Sequence, residues 1–491
     1  MIESNIIKWL DFGDSTQSLD VYSKKKLLIF FKFLKSLVKY KYFPIPLNVV
    51  FIIIYFLQIW TLDLINTSTE GDVFLEIFDY LKKVIIFYEI IVNELTYKKI
   101  FIILVCIIFI DTLLIILTLL IKRINLTIFF ILINYINIIL LYYFIGPIVN
   151  IFLISTLCEK GSHIYLGSTC YTSPHLIYLI FSIIILLLSI TITFIYSFYC
   201  NEIELITTNI SGSSARINCC YELFCLISKI IIFFFGFFAR VKNKEIFKII
   251  YEVYIFVNSL IMSIYIYKNV YYYNNIINHL NYFGWLFTCW YSFTVLLKTI
   301  FNLECITILI IIGWLIIGIS LYKTYKMREY SLITEYNIFE FKSTKSIESY
   351  KNILINKLRE KNSESKILLD GIIKKFEEFT INNPEINEQY HKLLNDKLLS
   401  KKFNQEDELP IFSIIYILYS FYLEKLSNKE EMTIHMCYFL INNLNNPIYS
   451  MFLCSKLKNE EHKCLFYKFL LIEDIKKYLI FQLNKNQIKN L

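Results

Sequence analysis

The chain has 491 residues, 56% of them hydrophobic, and a mean hydropathy of +0.54, values that exclude an ordinary water-soluble globule and point to a multi-pass membrane protein. Its 49 Lys and Arg against 41 Asp and Glu leave a formal charge of +8, an excess expected on cytosolic loops facing anionic lipid rather than on nucleic acid. No Walker loop, HExxH helix, nucleophile elbow, kinase set or dinucleotide glycine pattern occurs, so neither an enzyme nor a cofactor is expected.

Met1 to Lys26 carries Asp11, Asp14 and Asp20 and no short apolar core, and no cleaved leader is expected there. Residues 1–44 form a cytosolic N-terminal segment in this reading. Within it, Leu27–Tyr42 is amphipathic, with Lys32, Lys35 and Lys39 on one helical face and Phe31, Leu34 and Val38 on another. Such a helix rests either on the membrane surface or against the protein. Pro44 and Pro46 end it.

A hydrocarbon core about 30 Å thick asks for about 20 apolar helical residues. Applied to residues 45–322, that ruler finds Leu47–Leu64, Ile100–Ile121, Leu126–Ile145, Leu176–Tyr199, Leu223–Ala239, Ile249–Tyr267, Phe283–Phe301 and Cys305–Tyr322, about eight crossings. Leu223–Ala239 is short enough to read also as re-entrant, and Gly146-Pro147 opens a further apolar stretch after the third segment. Phe74, Ile77, Leu81, Ile85 and Tyr88 recur at helical spacing among charges, which predicts an interfacial helix. The Lys/Arg bias places both termini in the cytosol, in the plasma membrane or an endomembrane. Simple alternation leaves Arg240, Lys242 and Lys244 on the opposite side.

Polar residues inside these spans carry the chemistry that can be read. Asp111 lies within Ile100–Ile121, where an ionisable group is costly and faces a partner or a watery path. With Asn134 and Asn137 on the next segment it forms either an interhelical hydrogen bond, the commoner arrangement, or part of an ion or proton pathway. Between the third and fourth segments, Cys158, His163, Cys170 and His175 alternate in a polar island that reads as a disulfide, a zinc site or free thiols. An oxidising compartment favours the Cys158–Cys170 disulfide, and no metal is assigned. Asn66-Thr-Ser68 is a glycosylation sequon in a loop expected outside, while Asn209-Ile-Ser211 falls inside. Cys219, Cys220 and Cys225 stand where S-acylation occurs, although unmodified cysteines are commoner.

From residue 323 the composition turns to mixed charge with helical periodicity, and runs end near Asn362, Thr380, Phe403, Ser427 and Asn443. Pro384, Pro410 and Pro447 mark helix starts or breaks. Leu409–Leu423 is apolar but too short for a crossing, and reads as a buried core helix. His391, His435 and His462 read as isolated surface or packing residues. The expected fold is therefore all-α: a polytopic helix bundle over 45–322, then a soluble domain of helical hairpins over 323–491.

The polar loop from Cys158 to His175 leading into LIYLIFSIIILLL, the Asn201-Glu202 pair after that span, and Tyr272-Tyr273-Asn274 after a later one together resemble a family of multi-pass proteins from ciliates. Their membrane region precedes a TPR-like helical region similar to that of TmcB/TmcC-type transmembrane proteins. The resemblance runs from about residue 45, and in the last third Leu409–Lys425 and Phe466–Glu473 look like the family's closing helices. Tyr271 stands where the family has Pro, and no PAS-type ligand sensing is expected of these residues. The resemblance implies topology and a signalling or scaffold role, with the lipid bilayer and a cytosolic protein as partners and no catalytic activity. The alternative function is an ion channel or transporter with a polar path near Asp111.

Overall fold

The computed structural model describes residues 29–34, 37, 45–64, 94–120, 127–140, 145–159, 162–163, 168–200, 220–242, 245–268, 275–301, 306–334, 341, 344–360, 362–395, 408–425, 429–444, 446–455, 471 and 475. Asn66, the Phe74–Tyr88 helix, Cys219, Tyr271 to Asn274 and His462 lie outside them. The described chain is helical apart from one small ladder, in which β1 (Cys158–Glu159) pairs antiparallel with β2 (Ser162–His163). It divides into two compact units.

The apolar unit holds α1 (Ile45–Leu64), α2 (Glu94–Leu120), α3 (Thr127–Ile139), α4 (Ile145–Ser155), α5 (His175–Cys200), α6 (Cys220–Lys242), α7 (Glu245–Lys268), α8 (Asn275–Phe301) and most of α9 (Ile306–Thr334). Four stretches are long and apolar enough to cross a membrane: Tyr97–Thr118, His175–Ile195, Tyr221–Ala239 and Ile246–Tyr267. Their surfaces invert the water-soluble pattern. On α2, Ile102, Phe109, Ile110, Leu113 and Ile116 are exposed, while Tyr97, Phe101, Leu104, Ile108, Asp111, Leu114 and Thr118 form one buried stripe. On α5 the buried positions include His175, Ser182, Ser189 and Thr193, and Leu176, Ile180, Phe181, Ile184 and Leu187 face outward. Small hydroxylated residues inside and bulky aliphatic ones outside are what helices in lipid use, because lipid offers no penalty for exposed methyls.

One expectation is filled in and one changes here. Within Leu126–Ile145, Thr127–Ile139 forms α3, of 13 residues, and Leu140 is π-helical; α4, of 11 residues, starts at Ile145 and holds the apolar stretch that Gly146-Pro147 opens. Proline has no N–H to give the preceding turn, and Pro147 stands in the first turn of α4, where that is tolerated. A Cβ at Gly146 would come within 2.3 Å of the Phe233 ring, so glycine is what lets α4 close on α6. Leu223–Ala239, read as short, belongs to the 23-residue α6.

Packing falls into two neighbourhoods. α2 packs against α3 and α5, and α4 joins α5 to α6. α7 and α8 form a long hairpin against α1 and α6, where Gly284 admits the Phe56 ring. Trp60, Phe287 and Trp314 cluster there around Tyr291, Val295 and Ile310.

The charged unit holds α10 (Thr344–Glu360), α11 (Ser363–Ile381), α12 (Pro384–Leu394), α13 (Glu408–Lys425), α14 (Lys429–Asn442) and α15 (Pro447–Ser455). Its helix ends are set locally. The Asn362 side chain accepts the Ser365 N–H at 2.7 Å, and Pro384 and Pro447 each open a helix. α12 ends at Leu394 with Asn395 as its cap, and the run end expected near Phe403 lies outside the described residues. α13 is the buried core helix that its length predicted. It packs against α10, α11, α12 and α14, and Ile411, Ile414, Ile415, Leu418 and Tyr419 are buried. α14 and α15 are locked reciprocally, with the Ser450 hydroxyl donating to the Cys437 carbonyl at 3.2 Å and the Cys437 thiol donating to the Ser450 carbonyl at 3.4 Å.

In the N-terminal segment, the helical run 29–34 buries Phe31, Phe33 and Leu34 and exposes Lys32. Protein covers the apolar face of that run.

Candidate functional site

The polar island before α5 is a clasp. Cys158 and Cys170, twelve residues apart, form a disulfide with S–S 1.97 Å. His163 pairs with Cys158 through the backbone of the β ladder. The His175 ring sits in two hydrogen bonds: the Tyr171 N–H donates to Nδ1 at 2.9 Å, and Nε2 lies 2.8 Å from the Ser155 carbonyl. Nδ1 is therefore the acceptor, and Nε2 carries the proton that Ser155 receives. The Cys158, Cys170 and His175 ligand atoms all lie within 4.8 Å of one another, close enough for a metal in a reduced state. In the oxidised state both sulfurs are bonded to each other and both ring nitrogens are engaged, so the group works as a brace. Ser155 Oγ and Ser182 Oγ, 2.8 Å apart, extend that brace from α4 into α5.

Asp111, Asn134 and Asn137 come together across α2 and α3. Asp111 is 0% exposed, and the Asn137 Nδ2 stands 3.4 Å from its Oδ1 and 3.5 Å from Oδ2. The same nitrogen donates to the Ile133 carbonyl at 2.8 Å. Asn134 turns its amide to the Leu37 carbonyl, 2.9 Å away. Asn134 Oδ1, Asn137 Oδ1 and both side-chain polar atoms of Asn150 on α4 are buried with no hydrogen-bond partner. The interhelical bond expected of Asp111 is thus present but long, and it leaves acceptors without donors.

Further buried ionisable residues went unnoticed in the sequence: Glu222 in the first turn of α6, and, deeper in the apolar runs, Lys229 and Glu252. Lys229, in the middle of α6, is fully buried with Nζ 4.5 Å from the centre of the Tyr55 ring, a cation–π contact. Around it, the Tyr55 hydroxyl donates to the Cys225 carbonyl at 3.0 Å and the Trp285 Nε1 donates to the Tyr221 hydroxyl at 2.9 Å. The Tyr221 hydroxyl donates in turn to Asn281 Oδ1 at 3.3 Å. Glu252 on α7 is buried and accepts the Thr299 hydroxyl at 2.9 Å. Both residues were legible by the rule that singled out Asp111, an ionisable side chain inside an apolar run. Cys225 is buried, which argues against its acylation.

The charged unit has its own buried carboxylate. Glu348 is 0% exposed and is reached by the Lys351 ammonium and the Tyr419 hydroxyl, with His435 Nδ1 3.3 Å from Oε1 and off the hydrogen-bond line. Burial opposes its charge, but the adjacent His435 and Lys351, with the bonds from Lys351 and Tyr419, prevail and hold its carboxyl below the usual range. His435, read as an isolated residue, is part of this node.

Comparison with family models, curated proteins and solved structures finds no match in any of the three. The class that fold and site define is that of an all-α protein with several helices fit to cross a membrane and ionisable side chains buried among them.

Proposed function

We propose that this chain is an ion channel or transporter whose polar path passes Asp111. Eight crossings carry it: α1, α2, α3 and α4 taken together, and α5 to α9, with both termini cytosolic and the Cys158–Cys170 clasp on the opposite side. The observation that supports this most is the buried Asp111 on α2, which faces one long amide contact from Asn137 while buried side-chain oxygens of Asn134 and Asn137 lack a donor. An ionisable side chain among apolar helices is costly to bury and marks ion and proton pathways. The test is ionic flux through the full chain reconstituted in planar bilayers. Asp111→Asn is expected to reduce flux at least about tenfold, the scale on which one buried charge of about 1.4 kcal/mol or more governs a pathway. Unchanged flux would remove Asp111 from the path.

A second reading is favoured by the charged unit: a signalling or scaffold component whose cytosolic helical domain docks another protein. Its support is a core of its own around α13, together with Ile367, Ile381, Ile448 and Phe452, large apolar side chains exposed on a unit otherwise rich in charge. The helix pairs α10–α11, α12–α13 and α14–α15 are consecutive and adjacent, as TPR-like hairpins are. That α13 also packs against α10 and α11 makes the unit more compact than an open stack. The ciliate resemblance belongs with this reading. Crosslinking of the full chain in native membranes, with and without Ile381→Glu and Ile448→Glu, tests it. A partner band lost in the variants is the expected result, and crosslinks indifferent to both changes count against it.

A further inference from the structure

The α2–α3 seam is rich in acceptors and poor in donors. Asp111 brings two carboxylate oxygens, and Asn134 and Asn137, one turn apart on α3, each bring a buried carbonyl oxygen with no hydrogen-bond partner. Against these, the one N–H that Asn137 has left after serving Ile133 is spread over both carboxylate oxygens at 3.4 and 3.5 Å. An ordinary N–H···O bond is about 2.7–3.2 Å, so the charge of Asp111 is thinly compensated. Among the described residues no ion pair reaches Asp111, whose side-chain contacts are those with Asn137; Lys98 and Lys99 stand about three turns before it on α2, and the N-terminal segment that meets Asn134 through Leu37 carries Lys32, Lys35 and Lys39 in sequence. α3 carries no acidic or basic residue, α5 carries only His175, and α2 has none but Asp111 between Lys99 and its end at Leu120. The other titratable side chains on these elements are Glu94, Tyr97, Lys98, Lys99 and Cys106 on α2, Tyr135 on α3, and Tyr178, Tyr196, Tyr199, Cys200 and the His175 ring on α5, the last committed to Tyr171 and Ser155.

A seam of this kind is completed by a species that supplies one positive charge and one donor. A metal dication asks for about six oxygens and usually more than one carboxylate, more than Asp111 and two carboxamides offer. A proton meets both needs. It neutralises Asp111 and converts an oxygen of the carboxyl from acceptor to O–H donor, which an unpartnered carboxamide oxygen then receives.

We propose that Asp111, with Asn137 and Asn134, is a proton-binding site within the apolar helices, and that the proton is the ion the path carries. The inference rests on the transport reading above and names its substrate. In the step, a hydronium ion on one side gives its proton to the Asp111 carboxylate, leaving water and a neutral carboxyl. The O–H bond breaks again toward water on the other side, restoring the carboxylate.

Two measurements on the full chain in lipid vesicles test this separately. The first is infrared difference spectroscopy across a pH titration. The expected result is a protonated-carboxyl stretch that appears with acid in the wild type, is lost in Asp111→Asn, and returns shifted in Asp111→Glu. A spectrum unchanged by Asp111→Asn overturns the site. The second follows a pH-sensitive dye trapped in vesicles under an imposed proton gradient, expected to equilibrate at least tenfold more slowly with Asp111→Asn and to recover with Asp111→Glu. Sodium or potassium flux that depends on Asp111 without proton movement overturns the proton assignment and leaves the transport reading standing. A titrating Asp111 band with no flux of any cation supports the site and removes the transport reading instead.

Discussion

The two units bury a carboxylate in opposite ways. In the charged unit Glu348 accepts from Lys351 on its own α10 and Tyr419 on α13, with the His435 ring of α14 alongside at 3.3 Å. In the apolar unit Asp111 meets one amide at 3.4 Å or more. The first arrangement ties helices together and is harmed by any change of charge state. The second gains little from its charge, so a change of charge state is tolerated and available for use. The number of donors separates the two sites, and it is the ground on which Asp111 is proposed for function and Glu348 for structure.

The largest effect is expected at the structural node. Glu348→Gln leaves the Lys351 ammonium buried against an amide, and breaking a buried pair in this way costs about 3–5 kcal/mol. Chemical denaturation of the full chain in detergent, followed by helical circular dichroism, should show the charged unit melting early. Next is the clasp. Cys158→Ser opens a short disulfide loop, for which about 3 kcal/mol is the expected loss, read as faster proteolysis between α4 and α5.

Glycine to alanine should change sign between the units. At Gly284 a Cβ would meet the Phe56 ring at 2.1 Å, so Gly284→Ala is expected to cost about 1–3 kcal/mol. At Gly371, inside α11, nothing lies within 4 Å, and Gly371→Ala should gain about 0.5–1 kcal/mol from helix propensity alone. Thermal midpoints of the two variants check the pair.

The smallest effect is a pH dependence confined to the charged unit. The folded carboxyl of Glu348 is held below its unfolded value, so its contribution is complete above about pH 4.3 and is lost as pH falls through the lower folded value. Melting of the wild type between pH 6 and 3 should show an acid loss that Glu348→Gln lacks.

How much of this was legible in the sequence depends on contrast. Asp111 stood out because every neighbour in Ile100–Ile121 is uncharged, yet that same uniformity hid which face of α2 is buried. Where almost all side chains are apolar, periodicity carries no phase. α5 was better marked, since Ser182, Ser189 and Thr193 share one face. The apolar stretch after Gly146-Pro147 was noticed, but its length gave no sign that it forms a helix of its own, α4. Lys229 and Glu252 carried the same signal as Asp111 and were overlooked. The Glu348 node was not legible, because Tyr419 joins it from 71 residues away and no local pattern announces such a contact.

The most direct test applies one chemical change in both units: Asp111→Asn and Glu348→Gln, each a carboxylate made a carboxamide, compared for unfolding midpoint in the same detergent. The account predicts that Asp111→Asn stays within about 0.5 kcal/mol of the wild type or rises above it, while Glu348→Gln falls by about 3 kcal/mol or more. Equal losses at the two positions would contradict the claim that the carboxylate of Asp111 is kept for work rather than for structure.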